Sequence, residues 1–159
     1  MADRYQIVGF HFRVAFYGLS SQNDVDMGFQ SVSGLDKKME TNTYSEGGEN
    51  RFSHRLPCRI KNSSLVLRRG IISPKDSALT QWLQGAFQNQ HIVPLKNVQV
   101  DLLNENHEVL MRWDLYHVWP ISWEVGELNA EKGEVLIETL ELNYNYSELR
   151  APKNLQKKK

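Results

Sequence analysis

Apolar and polar residues alternate with a period of two through most of the chain, the pattern of strands with one face on a core. Phe10, Phe12, Val14 and Phe16 alternate with His11, Arg13, Ala15 and Tyr17. A polar stretch from Gly18 to Asp26 reads as a turn or loop, and Phe29 to Val32 reads as a short second strand stopped by Gly34. Asp36 to Tyr44 is polar but rich in Thr and Met, which predicts a strand with little core contact. Ser45-Glu46-Gly47-Gly48-Glu49-Asn50 is the strongest loop signal. The segment around Pro57 is compatible with strand or loop. Beyond it, Leu65 and Leu67 alternate with Val66 and Arg68. Val98, Val100 and Leu102, the turn residues Asn104-Glu105-Asn106, and then Val109, Met111, Trp113 and Leu115 predict a hairpin. Trp119-Pro120-Ile121 is expected to break the ladder, because proline has no N–H to donate. A polar connection from Glu127 to Gly133 leads to a last strand, Val135 to Tyr146, with Leu136, Leu140, Leu142, Tyr144 and Tyr146 on one side.

One segment changes period. Leu79, Trp82, Leu83, Ala86 and Phe87 follow helical spacing and form one apolar stripe, read as packing against the sheet. Ser73 is the predicted cap, Pro74 the first helical residue, and Asp76 completes a near capping-box pattern. With Trp82 buried in that stripe, its truncation to Ala would cost about 3–5 kcal/mol. The elements add up to a mainly β chain, a small β-barrel or sandwich with one flanking α-helix. Residues 1–150 read as a single domain and 151–159 as a basic, mobile tail. Several strands carry apolar residues on both faces, as in a sheet buried once within its subunit and once against a neighbour.

Composition narrows the function classes. The 159 residues fit one domain, and 19 basic residues balance 19 acidic ones, so no global charge recruits nucleic acid or an acidic membrane. No apolar run reaches the length of a membrane span. The N-terminus reads without a secretion signal, so synthesis in a bacterial cytoplasm is expected. The single cysteine, Cys58, excludes an intrachain disulfide and fits a reducing compartment.

No catalytic constellation emerges. Gly47-Gly48 lacks the lysine and the strand–helix context of a phosphate loop. Cys58 has no histidine that the sequence places beside it and reads as a free, inert thiol. His54 and Cys58 have a spacing that would hold a metal on a helix, but Pro57 lies between them. His107 and His117 flank one strand and lie too far apart to share an ion. Glu124, Glu127, Glu131 and Glu134 surround a turn and read as a solvated surface or a charged interface rather than an acid–base pair. Lys153 and Lys157 to Lys159 read as a solubilising end, and Arg68 and Arg69 as strand-end residues able to face a partner subunit. The expectation is a protein that is not an enzyme, with no cofactor, no metal site and no nucleic-acid specificity.

The order of short motifs resembles one family. Phe29-Gln30-Ser31-Val32-Ser33-Gly34-Leu35 is similar to the F-x-x-V-S-G-L stretch of contractile phage tail tube proteins. Glu40, Tyr44 and the loop Glu46-Gly47-Gly48-Glu49-Asn50 follow the E-x-x-x-Y-x-x-G-G-x-N pattern. Leu56-Pro57, Leu67-Arg68-Arg69-Gly70 and Trp82-Leu83 match later motifs, as does the hairpin running on to Trp119-Pro120. The resemblance runs from Phe10 to Tyr146. It implies hexameric rings stacked into a hollow inner tube within a contractile sheath. It also implies, as partners, further copies of the chain, a tube paralogue, sheath protein, and spike or baseplate proteins. Membrane contact would come only through the assembled particle, and the family includes extracellular particles. The loop Glu46, Gly47, Gly48, Glu49, Asn50 and Arg51 would reach the adjacent ring. The opening Gly9-Phe10-His11-Phe12-Arg13-Val14 resembles a subgroup encoded beside a second tube-like paralogue, so main tube and initiator ring both stay open. The alternative is a ring whose lumen holds effector cargo, as a chaperone would.

Overall fold

The computed structural model describes residues 11–19, 26–45, 47–48 and 51–151. Eight strands and one helix follow in the order β1 (Phe12–Tyr17), β2 (Ser31–Ser33), β3 (Lys37–Tyr44), β4 (His54–Asn62), β5 (Leu65–Gly70), α1 (Ala78–Gln88), β6 (Leu95–Leu103), β7 (Val109–Val125) and β8 (Ile137–Arg150). Six strands form one antiparallel sheet in the order β1-β6-β7-β8-β5-β2, and β3 and β4 form a separate two-stranded hairpin. The six-stranded sheet curls until its edges approach. The Val14 N–H on edge strand β1 donates to the carbonyl of Met27, a few residues before the other edge strand, β2. The mainly β, barrel-like fold with one helix is therefore the one the alternation predicts.

One continuous core fills the curl. Val14 and Phe16 of β1, Val98 and Val100 of β6, Leu115 and Val118 of β7, Leu140 and Leu142 of β8, and Leu65 and Leu67 of β5 all point inward. Leu79 and Leu83 of α1 close it, the helix lying against β7. Gly34 shapes the exit from β2. It has φ +87°, and a Cβ there would fall 1.8 Å from the Ser64 carbonyl oxygen, so no other residue fits without moving the backbone.

The helix starts later than its sequence signals predict. Ser73 closes a turn of its own, with Asp76 N–H donating to its carbonyl, and Ser77 is the cap, its Oγ accepting from Thr80 N–H at 3.1 Å. The stripe is also narrower than predicted. Leu79, Leu83 and Ala86 are buried, Trp82 is half-buried with its Nε1 donating to the Val93 carbonyl, and Phe87 is exposed. The cost of Trp82→Ala falls accordingly, toward about 2 kcal/mol, since only part of the ring leaves water.

Two further departures, and the reading left open around Pro57, have simple causes. β7 runs through Pro120 without a break, because the ladder to β6 ends at Val118 and a bulge between Pro120 and Ser122 absorbs the irregularity against β8. β8 starts at Ile137, leaving Val135 exposed, and its alternation lapses at Asn145. Tyr146 therefore stacks on Tyr116 outside the core, with ring centroids 4.6 Å apart. The segment around Pro57 is a full strand, β4, tolerated because it pairs only with β3.

The largest correction concerns Arg69. It does not face a partner but occupies the inward row Leu65, Leu67, Arg69, and is 2% exposed. Its cross-strand neighbour in β8 is Glu138, fully buried, and the two carry opposite charges on adjoining core positions. Arg69 also donates to Asp26 Oδ1 at 2.9 Å, to Ser77 Oγ at 3.1 Å and to Thr80 Oγ1 at 2.9 Å. Asp26 accepts from Ser77 Oγ and from Leu79 N–H, and Glu138 accepts from Trp123 Nε1 at 2.8 Å. Asp26 falls in the stretch that sequence reads as a plain polar loop, yet it is buried. Replacing Arg69 with Met should cost about 3–5 kcal/mol, because it strands two buried carboxylates. Urea unfolding checks this, and an unchanged midpoint would contradict it.

A second ion cluster lies between β1, β6 and β7. Burial of Asp101 disfavours its charge, but Arg112, bonded to it at 2.6 Å and 2.9 Å, together with Gln99 and Arg13, holds its carboxyl below the ordinary value. A folded-state value below the unfolded one means stability that is complete above the unfolded value, about 3.9, and lost as pH falls through the folded value. Asp101→Asn should therefore flatten the fall in stability below about pH 4 relative to the parent chain. Urea midpoints measured from pH 7 to pH 3 test this, and parallel curves would refute it.

Candidate assembly surface

The β3–β4 hairpin leaves the body between Gly34 and Leu65 and stands clear of it among the described residues, except at its base. Every residue of β3 is exposed, and so is every residue of β4 except Asn62. Register sets what each face presents. Met39 pairs with Ile60, Thr41 with Pro57 and Thr43 with Arg55 on one face, while Lys38 pairs with Lys61, Asn42 with Leu56 and Tyr44 with His54 on the other. A shift between Met39 and Thr41 accommodates the extra residue of β4. Large apolar side chains therefore stand in solvent on both faces: Met39, Ile60, Tyr44 and Leu56, with Phe52 edge-on to His54 just before β4. An isolated two-stranded hairpin is marginal in water, and both outer edges carry unpaired backbone groups. The hairpin is held to the body at its base, where Lys37 Nζ donates to the Ser147 carbonyl at 2.6 Å and Ser63 Oγ donates to Asp36.

Of the loop residues singled out by sequence, Gly47, Gly48 and Arg51 lie at the free end of this hairpin. Gly47 and Gly48 form its turn, Gly48 at φ +108°, with open space around both, and Arg51 is exposed. Glu46, Glu49 and Asn50 lie outside the described residues.

The motif residues divide into two groups. Phe29, Val32, Leu35 and Trp82 pack against the core, and Phe29 also lies under the Arg69 guanidinium at 5.5 Å. Gly34 accepts from the Tyr144 hydroxyl through its carbonyl, and Arg69 and Gly70 close β5. These residues build the subunit, with Ser33 exposed on β2 opposite Val66. Tyr44, Leu56 and Pro57 do nothing visible inside it. All three are exposed on the hairpin.

The chemistry-bearing candidates do not gather. Cys58 is an exposed free thiol on β4, and no group of three or more metal-ligating side chains forms among the described residues. His107 meets neither His117 nor an acid. Its Nδ1 lies 3.1 Å from Nε2 of His11, whose own Nδ1 donates to the Asn104 carbonyl. Sequence did not pair these two, because the contact depends on β1 lying beside β6. Glu124, Glu127, Glu131 and Glu134 are exposed around the β7–β8 connection.

The curled six-stranded sheet and its long exposed hairpin define a β-barrel-like body with an extended arm. The comparisons place it. The chain matches the model of the T4-like virus tail tube protein gp19 family over residues 8–148, and it belongs to that family. A chain in the cryo-EM structure of the anti-feeding prophage baseplate, 6-fold symmetrised, is 32% identical, with TM-score 0.83 over 94% of this chain and 98% of its own length. A chain of the anti-feeding prophage cap is 24% identical, with TM-score 0.78 and 95% of each chain covered. A chain of the sheath–tube complex of an extracellular contractile injection system, in the extended state, is 23% identical, with TM-score 0.76 and 94% of each covered. The latter two share the fold. No curated protein matches. The chain is a tail-tube-type structural subunit of contractile injection systems. Family and neighbours alike are structural tube components, and no helix of the described residues is long and apolar enough to cross a membrane.

Deleting Gly47-Gly48 should leave the far-ultraviolet circular dichroism and melting temperature unchanged, since neither residue touches the body. It should shorten any stacks that purified rings form. Loss of folding would show that the loop has a part in the subunit itself.

Proposed function

We propose that this chain closes into six-membered rings of the inner tube of a contractile injection system, at the end of the tube next to the baseplate. The observation that carries the ring reading is the hairpin, whose apolar side chains are uncovered on both faces and gain cover only from a neighbouring copy. Ring closure also removes the free edges of β3 and β4. The position at the baseplate end is favoured by the higher identity to a baseplate chain, 32%, than to the sheath–tube and cap chains, 23% and 24%. The partners on this reading are further copies of the chain, a second tube-type protein continuing the shaft, spike or baseplate proteins below, and sheath protein outside. The particle acts outside the cell that makes it. A ring that shelters cargo in its lumen is the weaker reading, since the family and the compared structures are tube, baseplate and cap components.

Leu56→Asp combined with Ile60→Asp should abolish rings in negative-stain electron microscopy and leave a folded monomer by sedimentation. Rings of ordinary diameter from this variant would refute the hairpin's role. A strictly monomeric parent chain, even with its spike partner, would refute the ring.

A further inference from the structure

Two of the five histidines meet although 96 positions separate them in the chain. The ladder between β1 and β6 runs one residue past Phe12, with the Leu103 N–H donating to the His11 carbonyl at 2.8 Å. That places His11 beside the turn that joins β6 to β7. Asn104 closes this turn: its N–H donates to the Glu108 carbonyl, and its Oδ1 accepts from the Asn106 and Glu108 N–H groups. His107 takes the left-handed position of the turn, φ +61°, where glycine is the least strained residue. The Asn104 carbonyl ties both histidines down. It accepts from the His107 backbone N–H at 3.1 Å and from Nδ1 of the His11 ring at 3.1 Å.

The ring bond fixes a tautomer. A carbonyl only accepts, so Nδ1 of His11 carries the proton and Nε2 of the neutral ring presents a lone pair. A backbone carbonyl accepting the other N–H is also the usual orienting partner of a metal-bound histidine. Nδ1 of His107 lies 3.1 Å from that Nε2. Two imidazole nitrogens bound to one metal ion at about 2.0–2.1 Å sit roughly 2.9–3.4 Å apart, for bond angles between a right angle and the tetrahedral angle. The observed separation falls inside that range. The ring centroids are 4.6 Å apart, with an interplanar angle of 81°. Nitrogens meeting head-on at 3.1 Å would hold the centroids farther apart, so the lone-pair axes tilt off the line joining the nitrogens, as two ligands of one ion require. His107 is exposed and His11 half-buried, so both are open to water. From Leu103 to Val109 the chain adds two carboxylates, Glu105 and Glu108, and no cationic side chain, so the local charge favours a cation.

We propose that Nε2 of His11 and Nδ1 of His107 form a two-histidine site for a late divalent transition metal (Zn2+, Ni2+ or Cu2+), with water completing the shell. Imidazole suits these ions, whereas Mg2+ and Ca2+ take oxygen ligands. Binding moves the His107 proton from Nδ1 to Nε2 and gives up only the N–H···N bond between the rings. The ion staples the start of β1, an edge strand of the sheet, to the turn between β6 and β7. It binds the folded chain in preference to the unfolded one, where nothing brings the two rings together, and so stabilises the fold by mass action. Site and staple lie within one subunit and do not depend on the ring reading.

Titration calorimetry of the untagged full chain with ZnCl2, NiCl2 and MgCl2 tests the site. One Zn2+ or Ni2+ should bind per chain, and Mg2+ should not. His107→Gly, which suits the backbone at that position, and His11→Gln should each weaken Zn2+ binding at least tenfold with the circular dichroism unchanged. Cys58→Ser and His54→Gln should bind as the parent chain does. The melting temperature should rise with ZnCl2 to a plateau in the parent chain and stay level in His107→Gly. Electron paramagnetic resonance of the Cu2+-loaded parent chain, which needs no variant, should show two nitrogen ligands. A parent chain that binds no Zn2+ or binds Mg2+ equally, undiminished binding by either histidine variant, loss of binding in Cys58→Ser or His54→Gln, or oxygen-only ligation of Cu2+ would each overturn the site.

Discussion

The fold depends on one buried charge. Arg69 stands at the end of an inward row of leucines, at a position where the alternation calls for an apolar residue. Its guanidinium reaches the lead-in to β2 through Asp26, β8 through Glu138, and the start of α1 through Ser77 and Thr80. Trp123 of β7 joins through Glu138. Segments far apart in sequence are thus held by one planar fork of five donors, which suits several acceptors at fixed angles better than an ammonium would. A buried ion cluster adds little net stability over an apolar replacement. What it contributes here is position: the helix cap, the sheet edge and two central strands are fixed relative to one another.

That fixed body makes the hairpin intelligible. β3 and β4 are exposed throughout, Asn62 apart, so on the proposed ring reading the free energy that orders them comes from contacts between copies. A tube subunit needs such an element, because a smooth closed barrel offers no edge and no apolar patch for association. The division of the family motif follows the same line. Phe29, Gly34 and Arg69 build the subunit, while Tyr44, Leu56 and Pro57 stand exposed on the hairpin.

Much of this was legible in the sequence, because the strand signal is local. Alternation in β1, β5, β6 and β7, the turn at Asn104, and the helical stripe through Leu79 and Leu83 each follow from residues within a few positions of one another. The ordered motifs from Phe29 to Gly70 likewise carried the tube family. Elements whose character depends on distant partners were misread. Ser73 and Ser77 are equally good caps locally, and only the donor from Arg69 and the acceptor from Asp26 chose Ser77. Arg69 and Glu138 share the parity of the buried leucines beside them, a signal that was present but outweighed by their charge. The exposure of β3 was legible in its polar composition, but the pairing of Asp26 with Arg69, the contact of His11 with His107, and the exposure of β4 had no local trace. They depend on how the sheet curls and which strands become neighbours, and that is set by burial of the entire core. Sequence alone therefore determined the elements and the family, while the tertiary structure decided which charges lie inside and which apolar residues stay in solvent, because both depend on which strands become neighbours.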